Sequence, residues 1–255
     1  MTKIRLSERL FLYLPCVQAL NYSIYPIGDN ALTIEFGNTI REQTNDAVMQ
    51  LFHQLKKKQV AFIIDIIPAY SSISVIYNTV AIKKSNPNLL AFDSMQQQIL
   101  KEMEWSHVNE LNRRQITIPV CYDITLGPDL NEVADYAKLS MEEVIALHTA
   151  THYKVYMIGF LPGFPYMATV DEKIQLPRKA QPRTLVAPGS VGIAGAQTGI
   201  YPLASPGGWQ LIGQTPLKIF DVTLEMPCLL QPGDEVRFES ISLEAFHQFN
   251  NKPHQ

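Results

Sequence analysis

The sequence predicts an α+β protein, a small N-terminal α/β sandwich domain followed by a β-barrel domain. Three observations carry that prediction. In the first hundred positions apolar residues recur at strand and then helix spacing, in the order ββ-α-ββ-α, which lays helices on one face of a sheet. From Tyr153 onward the chain breaks into short β segments. Nine of the 13 glycines and eight of the 17 prolines lie between Gly159 and Pro216, a density that punctuates a chain with turns. Closing many short strands on one another leaves no edge exposed, so a barrel is the economical arrangement.

Residues 1–20 read as an extension. Lys3, Arg5 and Arg9 precede the apolar run Leu10 to Leu14. Glu8 interrupts the start and Pro15 closes the run, which falls short of the roughly 7–15 apolar residues of a secretory signal. The first domain is expected over 21–108. Tyr22 to Pro26 and Ala31 to Phe36 flank Gly28-Asp29-Asn30 as a hairpin. Thr39 to Lys58 follows as a helix with Ala47, Val48, Leu51, Phe52 and Leu55 inward, and Lys56, Lys57 and Lys58 suit the negative end of its dipole. Val60 to Ile67 and Ile73 to Tyr77 are strands. Leu90 to Trp105 is a second helix, with Met95, Ile99, Leu100 and Met103 facing in.

Residues 109–115 are polar and read as a linker. The barrel domain is expected over 116–244, with 245–255 as a tail. Its first strand is the alternating Gln115 to Val120. Leu126-Gly127-Pro128-Asp129 is a turn, and Asp129 to Lys138 a short helix. Ser140 to Thr149 is another helix, its Ser140 and Glu143 spaced as a capping box. Strands are expected at Tyr153 to Ile158, Thr184 to Ala187, Ser190 to Ala194, Gly208 to Gly213, Leu217 to Phe220 and Glu235 to Ser240.

Composition narrows the function. A hydrophobic fraction of 46% and a charged fraction of 18% describe a chain able to build a core. The net charge of −3 gives no basic footprint for nucleic acid. Apart from the short run at 10–14, the longest uncharged stretch, Val186 to Leu217, is too rich in Gly and Pro for a membrane helix. Cys16, Cys121 and Cys228 are too few and too far apart for a disulfide framework or a metal knuckle, as expected of reduced thiols in a cytoplasmic protein.

Several chemistries are weakly supported. There is no GxxxxGK[ST] loop, and Gly189-Ser190-Val191-Gly192-Ile193-Ala194-Gly195 reads as a turn or bulge, not a phosphate cradle. His148 and His152 stand four apart without the Glu of HExxH, and no metal is expected. Neither Ser190 nor Ser205 sits in a GxSxG elbow. The informative region is Gly159 to Asp221. Phe160, Phe164, Tyr166, Gln197, Thr198, Tyr201, Trp209, Gln210 and Gln214 alternate with turns, and Arg178, Lys179 and Arg183 lie at one edge. An uncharged wall rimmed by cations suits a small carboxylate, because the guanidinium fork makes paired hydrogen bonds.

Gly159-Phe160-Leu161-Pro162-Gly163-Phe164-Pro165-Tyr166 begins an ordered series of motifs. It continues with Leu176-Pro177-Arg178, Pro182-Arg183, the glycine run 189–195 and Gln197-Thr198-Gly199-Ile200-Tyr201-Pro202. Ser205-Pro206-Gly207-Gly208-Trp209, Leu211-Ile212-Gly213 and Pro232-Gly233-Asp234 complete it. The series resembles the family that holds the B-type 5-oxoprolinase component, KipI-like proteins and allophanate hydrolase subunit 1. The resemblance implies that the barrel is cyclophilin-like. It also implies two partners, a second barrel-type protein like the C-type component of 5-oxoprolinase and a third like the A-type component, with which the chain cleaves 5-oxoproline to glutamate. ATP with Mg²⁺ would then be used by the assembly, not held by this chain alone. The resemblance also admits a non-catalytic inhibitor of a sensor histidine kinase, or a part in urea metabolism. On this reading His148 is a proton carrier, Arg178 and Arg183 are oxyanion or carboxylate clamps, and Phe160, Phe164, Gln197, Thr198, Tyr201 and Trp209 contact substrate.

Overall fold

The computed structural model describes residues 21–39, 41–103 and 113–250. The extension at 1–20 with Cys16, the end of the helix expected to reach Trp105, residues 109–112 of the linker and the end of the tail lie outside them. The chain falls into two compact units that divide between residues 112 and 113.

The first unit contains β1 (Ser23–Ile27), β2 (Ala31–Glu35), α1 (Glu42–Lys58), β3 (Ile63–Pro68), β4 (Ser72–Tyr77), α2 (Thr79–Ser85) and α3 (Ala91–Glu102). The strands form an antiparallel sheet in the order β1-β2-β4-β3. Its inward residues Leu32, Ile34, Ile73 and Val75 pack with Val48, Leu51 and Leu55 of α1 and Met95 and Ile99 of α3. Removing this apolar surface from water is what holds the sandwich together. The apolar pattern does not announce helix α2. Its start is fixed by Asn78, whose side chain accepts a hydrogen bond from the Ala81 amide at 3.0 Å, an N-cap.

The second unit contains β5 (Gln115–Cys121), α4 (Leu130–Ala137), α5 (Met141–Ala150), β6 (His152–Ile158), β7 (Pro165–Ala168), β8 (Arg183–Val186), β9 (Ser190–Ala194), β10 (Gln197–Ile200), β11 (Ser205–Gly207), β12 (Gln210–Gln214), β13 (Glu235–Ile241) and α6 (Leu243–Asn250). Seven strands close into a barrel in the order β10-β7-β6-β13-β5-β12-β9, while β8 and β11 pair as a separate ribbon. Strands β5 and β13 run parallel. The core is built from Ile118, Val120, Tyr153, Val155, Met167, Val191, Ile193, Ile200, Ile212, Val236 and Phe238, with Leu130, Val133 and Val144 added by α4 and α5. The capping box forms as expected: Ser140 Oγ accepts from the Glu143 amide, and Glu143 Oε2 accepts from the Ser140 amide at 2.7 Å.

Two of the expected segments take other forms. Leu217 to Phe220 is not a strand and makes only an isolated bridge, Phe220 to Cys228. Pro216 precedes it, and Lys218 turns to pair with Asp221 at 2.7 Å. The chain also continues past residue 244 as α6, started by Ser242 Oγ accepting from the Ala245 amide at 3.1 Å.

Gly127 brings the turn before α4 against the barrel. A Cβ there would overlap the Ile212 carbonyl group and the Gly213 nitrogen. Gly127→Ala is therefore expected to destabilise the protein by about 3 kcal/mol, since backbone cannot yield as a side chain does. A shift of the urea midpoint at unchanged slope checks this.

Candidate functional site

The site is organised by two tripeptides lying side by side. The Lys179 amide donates to the Gly208 carbonyl at 2.7 Å, and Gln210 Nε2 donates to the Pro177 carbonyl at 3.1 Å. Pro177-Arg178-Lys179 is thus tied on both sides of Arg178 to the residues flanking Trp209. Arg178 is left opposite the indole, its Cζ 5.8 Å from the ring centroid. A guanidinium held over an aromatic face keeps its N–H groups directed outward. Arg178 is exposed, and it has no acidic partner among the described residues.

Arg183 is placed differently. Its Nη2 donates to Asp129 Oδ1 at 2.6 Å. Lys179 Nζ donates to the same oxygen at 2.9 Å and to Glu132 Oε2 at 2.7 Å. The Leu211 amide donates to Asp129 Oδ2 at 2.7 Å. Asp129 is 3% exposed. Burial alone would raise its pKa, but the bonds from Arg183, Lys179 and Leu211 outweigh it and hold the carboxyl below its usual range. The expected pair of clamps therefore differs in setting: Arg183 is tied to Asp129 through Nη2, with its buried Nη1 left without a partner, while Arg178 has no acidic partner among the described residues. Nothing in the sequence marks that pairing: Asp129 and Arg183 are 54 positions apart, and by local pattern Asp129 is the end of a turn.

Around Trp209 the aromatic residues converge. Phe164, Tyr201 and Trp209 are buried in one cluster, with Tyr166 packed against it. Phe164 meets Tyr201 at 5.2 Å and Trp209 at 5.4 Å, both edge-to-face, the arrangement ring quadrupoles favour. Gly207 makes room for Tyr201, since a Cβ there would overlap its hydroxyl. Phe160 stands at the edge of the cluster, 5.6 Å from Phe164 and 6.4 Å from Tyr201. It is 62% exposed on a backbone with φ +66°, a conformation uncommon outside glycine. Gln197 opens β10, half-buried, between Ala168 of β7 and Ala194 of β9.

His148 and Thr198 are elsewhere. Both are 0% exposed, inside the barrel core. His148 stacks on Phe238 at 4.6 Å. Its Nδ1 lies 2.8 Å from the Tyr122 hydroxyl and its Nε2 lies 3.1 Å from Thr198 Oγ1. Thr198 donates to the Gly192 carbonyl at 3.1 Å. A carbonyl only accepts, so the chain of donors has one direction. Thr198 gives its proton to Gly192, His148 donates from Nε2 to Thr198, and Tyr122 donates to Nδ1. The imidazole is neutral, and burial pulls its pKa down to about 3. This is a satisfied core histidine, not a proton carrier facing substrate. His152, four residues on, is exposed on β6 and lies 3.4 Å from Glu235.

Arg178 and Tyr166 both lie beside Trp209, and Phe160 stands against Phe164 of the same cluster. The glycine run 189–195 holds the buried strand β9, Lys179 and Arg183 are committed to Asp129, and no three His, Cys, Asp or Glu among the described residues are grouped to hold a metal ion. No helix among them is long and apolar enough to cross a membrane.

Comparison with known proteins places the chain in a family. The family model for the carboxyltransferase domain, subdomain C and D, matches residues 22–230. The B-type component of 5-oxoprolinase from Bacillus subtilis is 42% identical over 236 residues, covering 91% of this chain and 98% of its own length. The solved structure of TTHA0988 is 37% identical with a TM-score of 0.71, over 84% of this chain and 40% of that one. The Kluyveromyces lactis urea carboxylase is 21% identical with a TM-score of 0.70, over 94% of this chain and 24% of that one, and shows the fold alone. The chain thus spans about two fifths and one quarter of those two solved chains, but nearly the whole of the Bacillus protein. By the extent of the family match and the near-complete overlap with the Bacillus relative, the chain belongs to the B-type 5-oxoprolinase family, built on the carboxyltransferase C and D subdomains.

Proposed function

We propose that this chain is the B-type component of an ATP-dependent 5-oxoprolinase, which hydrolyses 5-oxo-L-proline to L-glutamate together with A-type and C-type partners. The observation that carries the reading is Arg178, an exposed guanidinium set over Trp209 with no acid to neutralise it among the described residues. 5-Oxoproline is a carboxylate on a flat lactam ring. The fork of Arg178 receives the carboxylate through charge-assisted hydrogen bonds. Phe160 and Tyr166 cover the ring and keep water from its apolar edge. Gln197 is kept in this reading as a hydrogen-bonding group for substrate.

A lactam is stabilised by resonance, and its hydrolysis needs the amide oxygen activated. That activation is the chemistry ATP supplies, and phosphoryl transfer depends on positioning and charge neutralisation. ATP and its Mg²⁺ are placed with a partner in this reading, in keeping with the lack of a GxxxxGK[ST] loop in the sequence. This chain binds and orients the substrate, and it is inactive alone.

The purified chain mixed with its A-type and C-type partners, ATP and 5-oxoproline is expected to release glutamate. Omitting this chain, or supplying it alone, is expected to stop release. No glutamate from the complete assembled mixture would remove the enzymatic reading and favour the kinase-inhibitor alternative.

A further inference from the structure

We infer that Asp129 is a positioning residue for recognition of the substrate carboxylate, acting through Lys179 on Arg178; this rests on the reading that Arg178 receives that carboxylate. Among the described residues Arg178 has no hydrogen bond of its own to fix it. Its direction is inherited from its two chain neighbours. Pro177 is held by Gln210 at 3.1 Å. Lys179 is held at its amide by Gly208 at 2.7 Å and at its ammonium by Asp129 at 2.9 Å, Glu132 at 2.7 Å and Gln210 at 3.3 Å.

Among these, Asp129 is the one anchor that is both charged and buried. It is fixed in turn by the Leu211 amide at 2.7 Å and by Arg183 at 2.6 Å, and its own amide donates to the Leu211 carbonyl at 2.9 Å. A carboxylate bound on both oxygens, in a site water scarcely reaches, does not swing. Lys179 is therefore held to a fixed point. Arg178, the next residue, keeps its place over Trp209 rather than sweeping the volume open to a long exposed side chain. The entropy of ordering that side chain is spent on folding and not on binding. Arg183 donates to the same carboxylate oxygen as Lys179, so it helps hold Asp129 while Arg178 stays outside the ion pair.

The test uses the reconstituted three-component enzyme, with glutamate release measured against 5-oxoproline concentration. Lys179→Met leaves Asp129 paired with Arg183 and the Leu211 amide, so it spares the buried charge. It is expected to raise KM about threefold to tenfold with kcat within about twofold. Asp129→Asn is expected to do the same if it folds; Lys179→Met decides the matter if it does not. The double variant Arg178→Ala/Lys179→Met is expected to have the KM of Arg178→Ala alone, because the effect of Lys179 passes through Arg178. A merely structural role would multiply the two effects instead, and that result would overturn the inference. So would an unchanged KM for assembled Lys179→Met beside a raised KM for Arg178→Ala, which would leave the reading of Arg178 standing. An unchanged KM for Arg178→Ala would remove that reading itself.

Discussion

Replacing His148 by alanine is expected to cost about 3–5 kcal/mol of stability at pH 7 and about 2 kcal/mol less at pH 5. The first figure has two sources. The imidazole fills space among Tyr122, Tyr153 and Phe238, and its loss leaves a cavity in a core that cannot fully collapse. It also removes partners from the Tyr122 hydroxyl and from Thr198, both buried. The pH dependence follows from the lowered pKa of about 3 in the folded protein. The unfolded chain takes a proton near pH 6.5, about 6.5 being the ordinary imidazole value. Between those two values the unfolded state binds more protons than the folded one. Stability conferred by neutral His148 is thus complete above pH 6.5 and falls as pH falls, by at most about 1.4 kcal/mol per unit. The alanine variant lacks that titration, so the gap between the two proteins narrows in acid. Urea unfolding of both at pH 7 and pH 5 measures it. A gap that stays constant would mean that His148 is charged or solvent-accessible in the folded barrel.

The second large effect is expected for Asp129→Ala, a loss of about 3–5 kcal/mol, because removing one partner from a buried ionic group leaves uncompensated charge behind. Lys179 would retain Glu132, which is exposed, whereas Arg183 would lose its pairing with Asp129 and the Leu211 amide its acceptor. Asp129→Asn keeps an acceptor and should lose less. Asp129 also adds a second acid-sensitive contribution. Its pKa is lowered on folding, so its stabilisation is present above the unfolded carboxyl value, near pH 3.8, and is lost as pH falls through the folded one. That window opens near the acid end of the one set by His148, and comparing the His148 and Asp129 variants across pH separates the two. Thermal unfolding of the Ala and Asn variants at pH 7 ranks them, and equal stability of Asp129→Ala and the parent would contradict the buried network.

The parts of the fold that are legible in the sequence are those made by local rules. The hairpin around Gly28, the inward faces of α1 and α3, and the capping box at Ser140 each need only neighbours within a few residues. Strands β7, β10 and β11 are not legible, because Pro165, Gly199 and Pro206-Gly207 are poor strand formers by themselves. Their places are set from outside: Gly199 lies so close to the Phe164 ring that a Cβ there would be 2.9 Å from it. The aromatic cluster is legible as a set of residues, since Phe160, Phe164, Tyr201 and Trp209 do come together. What distinguishes Arg178 from Arg183 is not, because it depends on Asp129 folding back across the barrel. His148 is hidden for a related reason. A histidine on a helix near its end looks solvated until the barrel that encloses it is closed.

The proposed recognition of the substrate carboxylate rests on Arg178. The most direct measurement is the 5-oxoproline KM of the reconstituted enzyme carrying Arg178→Ala. Arg178 is exposed, so folding and assembly should be unchanged, and the loss of a charge-assisted pair is expected to raise KM about tenfold to a hundredfold with kcat within a few-fold. A KM equal to that of the unaltered enzyme, in a complex shown to be assembled, would contradict it.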